Sequence, residues 1–487
     1  MAYASLPLSS SPIEFGTDGW RGVLGVDITI ERLLAVAAAS AQELAYRAPS
    51  GLKSRKILIG FDRRFLAPEL AEASAAAIRG SGLEPLLAST PLTTPACSWA
   101  VVQRKALGAL VITASHNPPE WLGMKIKGPF GGSVESDFTK AVEKRLLAGG
   151  KIIPLEGITK RFDGRKEHLE GLRSKFDISG MVEGLNQLGL KLIIDPMHGV
   201  AAGCISEVFG EEGSNLIQEI RSQRDTLFGG NSPEPLQTYL SELISRVKAA
   251  NASGQKTIGL AFDGDGDRIA AVDEKGNFCS TQLLIPLLVD HLGRTKNLPG
   301  SVIKTVSGSD VITLVAKSIG RKVVELPVGF KYIAAEMLSD QVLLGGEESG
   351  GVGFGGHLPE RDALFTALVL IEALVEGGRS LGDYLDSLKR RFGGECVYDR
   401  IDLRLASMEN RNRLEALLKE EPPLKVASQD VIEVSCLDGV KFRLGQGYWL
   451  MMRFSGTEPL LRIYCEAPSH EKLFETLEWA KEFAQAA

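Results

Sequence analysis

The sequence predicts an α/β protein of several domains, and three observations carry that reading. Short apolar runs alternate with longer helical stretches along most of the chain, the pattern of strands joined by crossover helices. At 487 residues the chain is too long for one hydrophobic core. Past the "RRFGGE" segment the alternation gives way to strand-like runs and one terminal helix.

In the first section, "KILIGFD" (56–62) and "LGALVIT" (107–113) read as buried parallel strands, with helices over "ERLLAVAAASAQELAY" and "PELAEASAAAIRGSG". A turn-rich, charged stretch around 150–175 separates it from a second unit. That unit holds "LKLIIDPMHG", a helix over 233–250 and the strand "TIGLAFD". The third runs from the helix "QLLIPLLVDHLG" through "SVIKTVS", "KVVELP" and "QVLLGG" to a long helix beginning near Glu360. The last carries two strand-like runs, "VIEVSCLDGVKFRL" and "YWLMMRFSGTEPLLRIYCEA", before an amphipathic helix, as in a smaller α+β domain. The expected boundaries are 1–158, 159–280, 281–393 and 394–487.

Composition narrows the function. Hydrophobic residues make up 44% and charged residues 24%, an ordinary globular balance, and the net charge of −6 argues against a nucleic-acid partner. Six dispersed cysteines without a CxxC pair fit a reducing compartment. The N-terminal stretch lacks the basic and apolar regions of a secretory signal, and no apolar run is long enough to span a bilayer. A cytoplasmic protein without a membrane partner is expected. The six histidines show no metal-ligand spacing, and His198, His291 and His470 read as structural or exposed.

The chemistry is concentrated in loops. In "TASHNPP" (113–119), Ser115 follows the carboxyl end of a strand, where open α/β sheets place ligands. Beside His116 it reads as a nucleophile, a phosphate carrier or a helix cap. The loop "DGDGDR" (263–268) sets Asp263, Asp265 and Asp267 between glycines that let three carboxylates converge on a hard cation. An EF-hand does not fit, because Arg268 stands sixth, where that loop needs glycine, and the flanks are strand-like. Three carboxylates beside an arginine leave Mg2+ short of an oxygen, which a phosphate would supply. In "RFSGTEPLLR" (453–462), Arg453 and Arg462 flank Ser455, Gly456 and Thr457 as an oxyanion pocket. "GGEESGG" (345–351) reads equally as a polyol-binding loop and as an acidic helix entry, and Arg21 in "FGTDGWRG" as a surface charge or a phosphate ligand.

Taken in order, "TASHNPP", "DGDGDR", "GGEESGG" and "RFSGTEP" resemble the motifs of the α-D-phosphohexomutase superfamily over essentially the whole chain. The resemblance implies four domains around a central cleft, three related α/β units and a smaller domain of another fold. It implies a phosphorylated Ser115 whose phosphate, with Asp263, Asp265 and Asp267, binds Mg2+. Lys125 matches the general base, and Lys304 falls near the active site. Gly329 and Lys331 belong to a sugar loop, Glu347 and Ser349 contact sugar hydroxyls, and Arg453, Ser455, Gly456, Thr457 and Arg462 hold the non-reacting phosphate. Arg21 and Arg268 would balance phosphoryl charge, with His116 orienting the phosphate or Lys125.

The implied reaction interconverts hexose 1-phosphate and hexose 6-phosphate, glucose favoured and mannose possible, through a hexose 1,6-bisphosphate, in a monomer or weak homodimer. Bacterial relatives often carry histidine where this chain has Gly351, and His357 is a candidate replacement. Three rivals are a glucose-1,6-bisphosphate synthase, a serine-dependent metallophosphatase and a non-catalytic sugar-phosphate sensor. The phosphatase would need a second metal set, and the sequence shows no histidine–aspartate group for one.

Overall fold

A computed structural model describes residues 12–149, 153–392, 396–455 and 459–486. It divides into two compact units. The first comprises the residues up to Thr281 together with Gly329–Gln341 and Ser349–Gly382; the second comprises Gln282–Val328, Val342–Glu348 and Asp383–Ala487.

The first unit holds two sheets. In the six-stranded one, Lys56–Phe61 pairs in parallel with Glu84–Ala88 on one side and Gly108–Ile112 on the other. Beyond Gly108–Ile112 comes Trp121–Lys127, antiparallel. Leu58, Ile59, Leu110 and Val111 are fully buried, as expected of strands covered by helices on both faces. Helix Ile30–Tyr46 supplies one cover; Thr29 caps it by accepting from the Arg32 N–H, and Leu33, Val36, Ala37 and Leu44 enter the core. In the second sheet Lys191–Asp195 lies between parallel Ile217–Glu219 and Thr257–Phe262, and antiparallel Ile269–Val272 follows.

The second unit repeats the arrangement, with Ser301–Thr305 between parallel Val323–Leu326 and Val342–Gly346. Its five-stranded sheet is antiparallel throughout, in the order Val397–Arg404, Leu460–Ala467, Tyr448–Phe454, Val440–Gly445, Glu433–Ser435. One consequence of the repeat bears on function. Three chemical loops leave the same strand of each α/β repeat: 113–120 after Gly108–Ile112, 263–268 after Thr257–Phe262, and 347–351 after Val342–Gly346.

Several expected elements are redrawn. The helix expected over 233–250 is Ser241–Ala252, because Pro233 and Pro235 keep the preceding residues out of the α region. The long helix near Glu360 starts at Ala363, capped by Asp362, and a left-handed Gly378 separates it from a second helix, Leu381–Phe392. Each strand-like run of the last section is two strands, and strand Val397–Arg404 and helix Met408–Glu420 were not anticipated. Strand Lys160–Phe162 pairs with Glu84–Ala88, so the first sheet reaches past the boundary expected at 158. Among the described residues no helix is long and apolar enough to cross a membrane.

Candidate active site

The chemical loops of the first unit meet at Ser115. The residue is buried and left-handed, with φ of 52°. Its N–H donates to Thr113 Oγ1 at 2.8 Å, and Thr113 Oγ1 donates to Asp62 Oδ2 at 2.6 Å. Ser115 Oγ donates to Asp263 Oδ2 at 3.0 Å, with His116 Nδ1 at 3.4 Å. Glycine makes the approach possible, since a Cβ on Gly264 would stand 2.5 Å from the Ser115 carbonyl oxygen. At Gly266, φ is 70° and a Cβ would meet Thr93 at 2.6 Å.

Asp263, Asp265 and Asp267 are fully buried, with one carboxylate oxygen of each within 4.8 Å of the others. Asp263 Oδ1 accepts from the N–H groups of Asp267 and Arg268, at 3.0 and 3.1 Å. Asp265 Oδ2 accepts from Thr94 Oγ1 at 2.6 Å. The remaining oxygens, Asp265 Oδ1 and Asp267 Oδ1, are buried without a hydrogen-bond partner. Unmatched carboxylate oxygens beside two other carboxylates are a costly arrangement unless a cation joins them, and an all-oxygen donor set suits Mg2+. Burial, reinforced by Asp265 and Asp267, pushes the Asp263 carboxyl well above its ordinary range, the strain a bound cation would relieve.

Around this centre lies a shell of buried charge. Lys125 Nζ stands 2.8 Å from Asp18, 2.8 Å from Asp265 and 2.7 Å from Asp267. Burial alone would lower its pKa, but the three carboxylates outweigh burial and push it above the usual lysine value. Three carboxylates within 2.8 Å favour the ammonium form of Lys125, the residue that the resemblance assigns as general base. His116 is the converse: burial and then Arg268, Arg21, Lys125 and Arg361 hold its pKa well below the ordinary value. Arg21 donates to Asn117 Oδ1 and to the Asp18 side chain, each at 3.1 Å. Arg268 Nη1 lies 3.6 Å from Glu234, which the proline-held 233–240 segment presents.

Three members of the shell were not anticipated. Asp18 Oδ2 accepts Arg21, Lys125 and Arg361, at 3.1, 2.8 and 2.5 Å. Burial would raise its pKa, yet Arg361, Lys125, Lys127 and Arg21 hold it well below the carboxylate range. Arg361 also reaches Asp267 Oδ2 at 2.7 Å, and Glu360 binds the buried Lys127 and Ser133. Asp18 stands in the "FGTDGWRG" stretch that drew attention to Arg21; no local pattern marks Glu360 and Arg361.

Gly329, with φ of 134°, precedes helix Phe330–Ser339, and Lys331 Nζ reaches Ser136 Oγ at 2.7 Å. Lys331 borders a pocket with Thr17, Asp18 and Ser133, and burial and Lys140 lower its pKa. Ser349 is half-buried and Gly351 bridges to Arg268. His357, the candidate replacement for the histidine absent at Gly351, is hydrogen-bonded to Asp362. Its Nε2 and that of His168 both lie 2.8 Å from Asp362 Oδ2, and Asp362 Oδ1 caps the following helix. A histidine–aspartate group is thus present, contrary to expectation. Its carboxylate oxygens are taken up by imidazole and backbone donors, with Phe365 stacked on His357 at 4.2 Å.

The second unit holds the other expected residues. Lys304 is buried, donating to the Gly308 carbonyl at 3.0 Å and pairing with Glu325 at 3.1 Å. Glu347 is buried, and its neighbour Glu348 accepts Ser307 Oγ at 2.6 Å and Thr305 Oγ1 at 3.2 Å. Arg453 and Arg462 are directly opposed on adjacent antiparallel strands. Arg453 pairs with Asp438 at 2.8 Å, whereas Arg462 is only 3.8 Å from Asp402. The Ser455 N–H donates to the Leu460 carbonyl, and Gly456 and Thr457 lie outside the described residues.

A seryl hydroxyl on three converging aspartates, ringed by buried cations in repeated α/β sheets, defines an enzyme equipped for phosphoryl transfer. The chain belongs to the phosphoglucomutase/phosphomannomutase family of the α-D-phosphohexomutase superfamily, and is an intramolecular phosphotransferase. Family models for α/β/α domains I, II and III match residues 12–151, 166–276 and 281–392, and the C-terminal domain model matches 408–482. A protein of Methanosphaera stadtmanae assigned as a phosphoglucosamine mutase is 30% identical, the match covering 98% of this chain and 99% of that one. The phosphoglucomutase/phosphomannomutase of Thermococcus kodakarensis is 28% identical over 95% of this chain and 96% of its own. A crystal structure from Thermus thermophilus, assigned as a phosphomannomutase, is 31% identical with a TM-score of 0.84, covering 97% of this chain and 99% of that one.

Proposed function

We propose that the enzyme interconverts hexose 1-phosphate and hexose 6-phosphate through a phosphorylated Ser115. The observation that carries this reading is the left-handed Ser115 with its hydroxyl 3.0 Å from Asp263, beside two buried carboxylate oxygens without hydrogen-bond partners. A helix cap needs none of those carboxylates.

Asp263, Asp265, Asp267 and an oxygen of the Ser115 phosphate would hold Mg2+, which when bound neutralises phosphoryl charge and eases departure of the serine oxygen. The rest is the work of side chains. Phosphoryl transfer breaks the bond from Ser115 Oγ to phosphorus and forms one to a sugar oxygen, whose proton must leave while Ser115 Oγ regains one. Lys125, held as an ammonium by Asp18, Asp265 and Asp267, enters as the proton donor and serves as base only once it has given its proton up. His116 orients Ser115 Oγ from 3.4 Å. Arg21 and Arg268 balance charge on the transferred group.

The remaining sugar contacts would come from Lys304, Gly329, Lys331, Glu347 and Ser349. Arg453 and Arg462, with Ser455, Gly456 and Thr457, would hold the phosphate that does not react. Directly opposed arginines repel, and an anion between them turns that repulsion into binding. The bisphosphate formed in the first half returns its other phosphate to Ser115 in the second, so a hexose 1,6-bisphosphate is both intermediate and activator.

Glucose phosphates are the favoured substrate, with mannose phosphates second. Relatives named phosphoglucosamine mutases support glucosamine phosphates as a further reading. Intact mass of the purified protein should show one phosphate that Ser115→Ala removes. Coupled assays with the 1-phosphates of glucose, mannose and glucosamine then rank the substrates. Full mutase activity in Ser115→Ala, or inorganic phosphate as the main product, would overturn the proposal.

A further inference from the structure

We propose that Arg64 is a positioning residue for phosphoryl transfer, holding the Ser115 loop in its left-handed form through that loop's own carbonyl groups. The inference rests on Ser115 being the phosphate carrier. Arg64 is fully buried and touches neither the seryl oxygen nor the aspartate loop's carboxylates. Its Nη2 donates to the carbonyls of Ser115 and Asn117, at 2.7 and 2.6 Å. Its Nη1 donates to those of Pro118 and Trp121, at 2.7 and 3.1 Å. Four carbonyls within seven residues of one loop thus converge on one guanidinium.

The guanidinium is itself fixed. Phe228 lies beneath it at 4.9 Å, and Asp62 Oδ2 faces Nε at 3.3 Å. Asp62 Oδ1 accepts the Arg64 N–H at 2.9 Å, so the two residues form one rigid turn. That turn reaches Ser115 from both ends of the residue. Arg64 binds the Ser115 carbonyl, while Asp62 holds Thr113 Oγ1, which accepts the Ser115 N–H.

Both peptide groups that set the Ser115 backbone are therefore tied to residues 62 and 64 of the "FDRR" turn. A left-handed backbone is unfavourable for a non-glycine residue and persists only where its surroundings over-determine it. Relaxed to ordinary φ, Ser115 would swing Oγ away from Asp263. Charge alone cannot do this task. Lysine offers three donors from one point, whereas arginine offers a planar fork wide enough for separated carbonyls.

The test uses full-length enzyme with glucose 1-phosphate and glucose 1,6-bisphosphate. Arg64→Lys and Thr113→Val are measured for kcat, KM, intact-mass phosphorylation, and the single-turnover rate from phosphoserine to glucose 1-phosphate. Displacement of a reacting atom by about an ångström costs on the order of 100-fold in rate. Arg64→Lys should therefore lose ~10- to 100-fold in kcat and in the single-turnover rate, with KM changed less than about twofold. Thr113→Val, nearly isosteric, should show the same split and covers the case in which Arg64→Lys does not fold. Wild-type kcat in either folded variant, or a loss appearing in KM alone, overturns the positioning role. Failure of the carrier reading looks different, because Ser115→Ala would then stay active and the wild type would carry no phosphate.

Discussion

Ser115 Oγ and Asp263 Oδ2, 148 residues apart in sequence, share a hydrogen bond of 3.0 Å in a fully buried site. The aspartate loop thereby takes hold of the serine before any phosphate arrives. Ser115→Ala keeps the fold but removes both the carrier and this link. We expect mutase activity to fall by on the order of 10³-fold or more, with loss of the single phosphate in the intact mass. Melting temperature should change little, since one hydroxyl at an already strained loop contributes about 1 kcal/mol.

The open oxygens of Asp265 and Asp267 give a prediction that is independent of turnover. Mg2+ should raise the melting temperature of the enzyme, because an ion that binds only the native state stabilises it by mass action. Asp265→Asn should weaken that stabilisation and raise the Mg2+ needed for half-maximal activity by roughly 10- to 100-fold. An unchanged Mg2+ titration in this variant would show that the aspartate loop is not the metal site.

How much of this was legible in the sequence follows from how local each feature is. The strands "KILIGFD" and "LGALVIT" announce themselves by continuous apolar runs, and the aspartate loop by its spacing. Asp18, Glu360 and Arg361 reach the same centre from positions up to 343 residues apart, and only tertiary folding brings them together. The setting of His357 is non-local for the same reason: its partners, His168 and Asp362, lie on two different helices or their caps. Pro233 and Pro235 are visible in the sequence, and they delay the start of the helix to Ser241.

Asp18 supplies the third prediction. It binds Arg21, Lys125 and Arg361 at once, so Asp18→Asn leaves two buried cations and the half-buried Arg21 short of a carboxylate. Removing one partner of a buried ion pair costs about 3–5 kcal/mol, and sharing among several carboxylates should hold this loss to the lower end. Chemical denaturation should show that decrease, and kcat should fall with it because Lys125 and Arg361 lose the group that aims them. A variant with wild-type stability and kcat would remove Asp18 from the site's organisation.

Arg453 and Arg462 face one another across adjacent strands, and among the described residues their carboxylate neighbours are Asp438 at 2.8 Å and Asp402 at 3.8 Å. Inorganic phosphate should therefore raise the melting temperature of the wild type, and Arg453→Ala/Arg462→Ala should abolish the effect. The same double variant should raise KM for hexose 1-phosphate by ~10-fold or more, the cost of losing charge-assisted contacts to an anion. Its Ser115 should still carry phosphate. Loss of Ser115 phosphorylation with unchanged KM would instead assign these arginines to the reacting phosphate.

Glu466 carries the last prediction. Its buried carboxylate accepts Ser309 Oγ at 3.1 Å and the Asp310 N–H at 3.2 Å. Burial and then Asp310 raise its pKa from 4.5 to about 7, with Lys304 and the hydrogen bonds opposing them. A raised folded-state pKa means that the native protein binds the proton more tightly than the unfolded chain does. The resulting stabilisation is complete below pH 4.5 and is lost as pH rises through about 7, a difference on the order of 3 kcal/mol. Glu466→Gln keeps the shape and an acceptor while removing the ionisation. Between pH 5 and 8 the second unit of the wild type should lose stability relative to this variant. Denaturation followed by tryptophan fluorescence, to which Trp449 of the same buried sheet contributes, measures that loss. Parallel pH profiles for the two proteins would show that Glu466 titrates alike in the folded and unfolded chain.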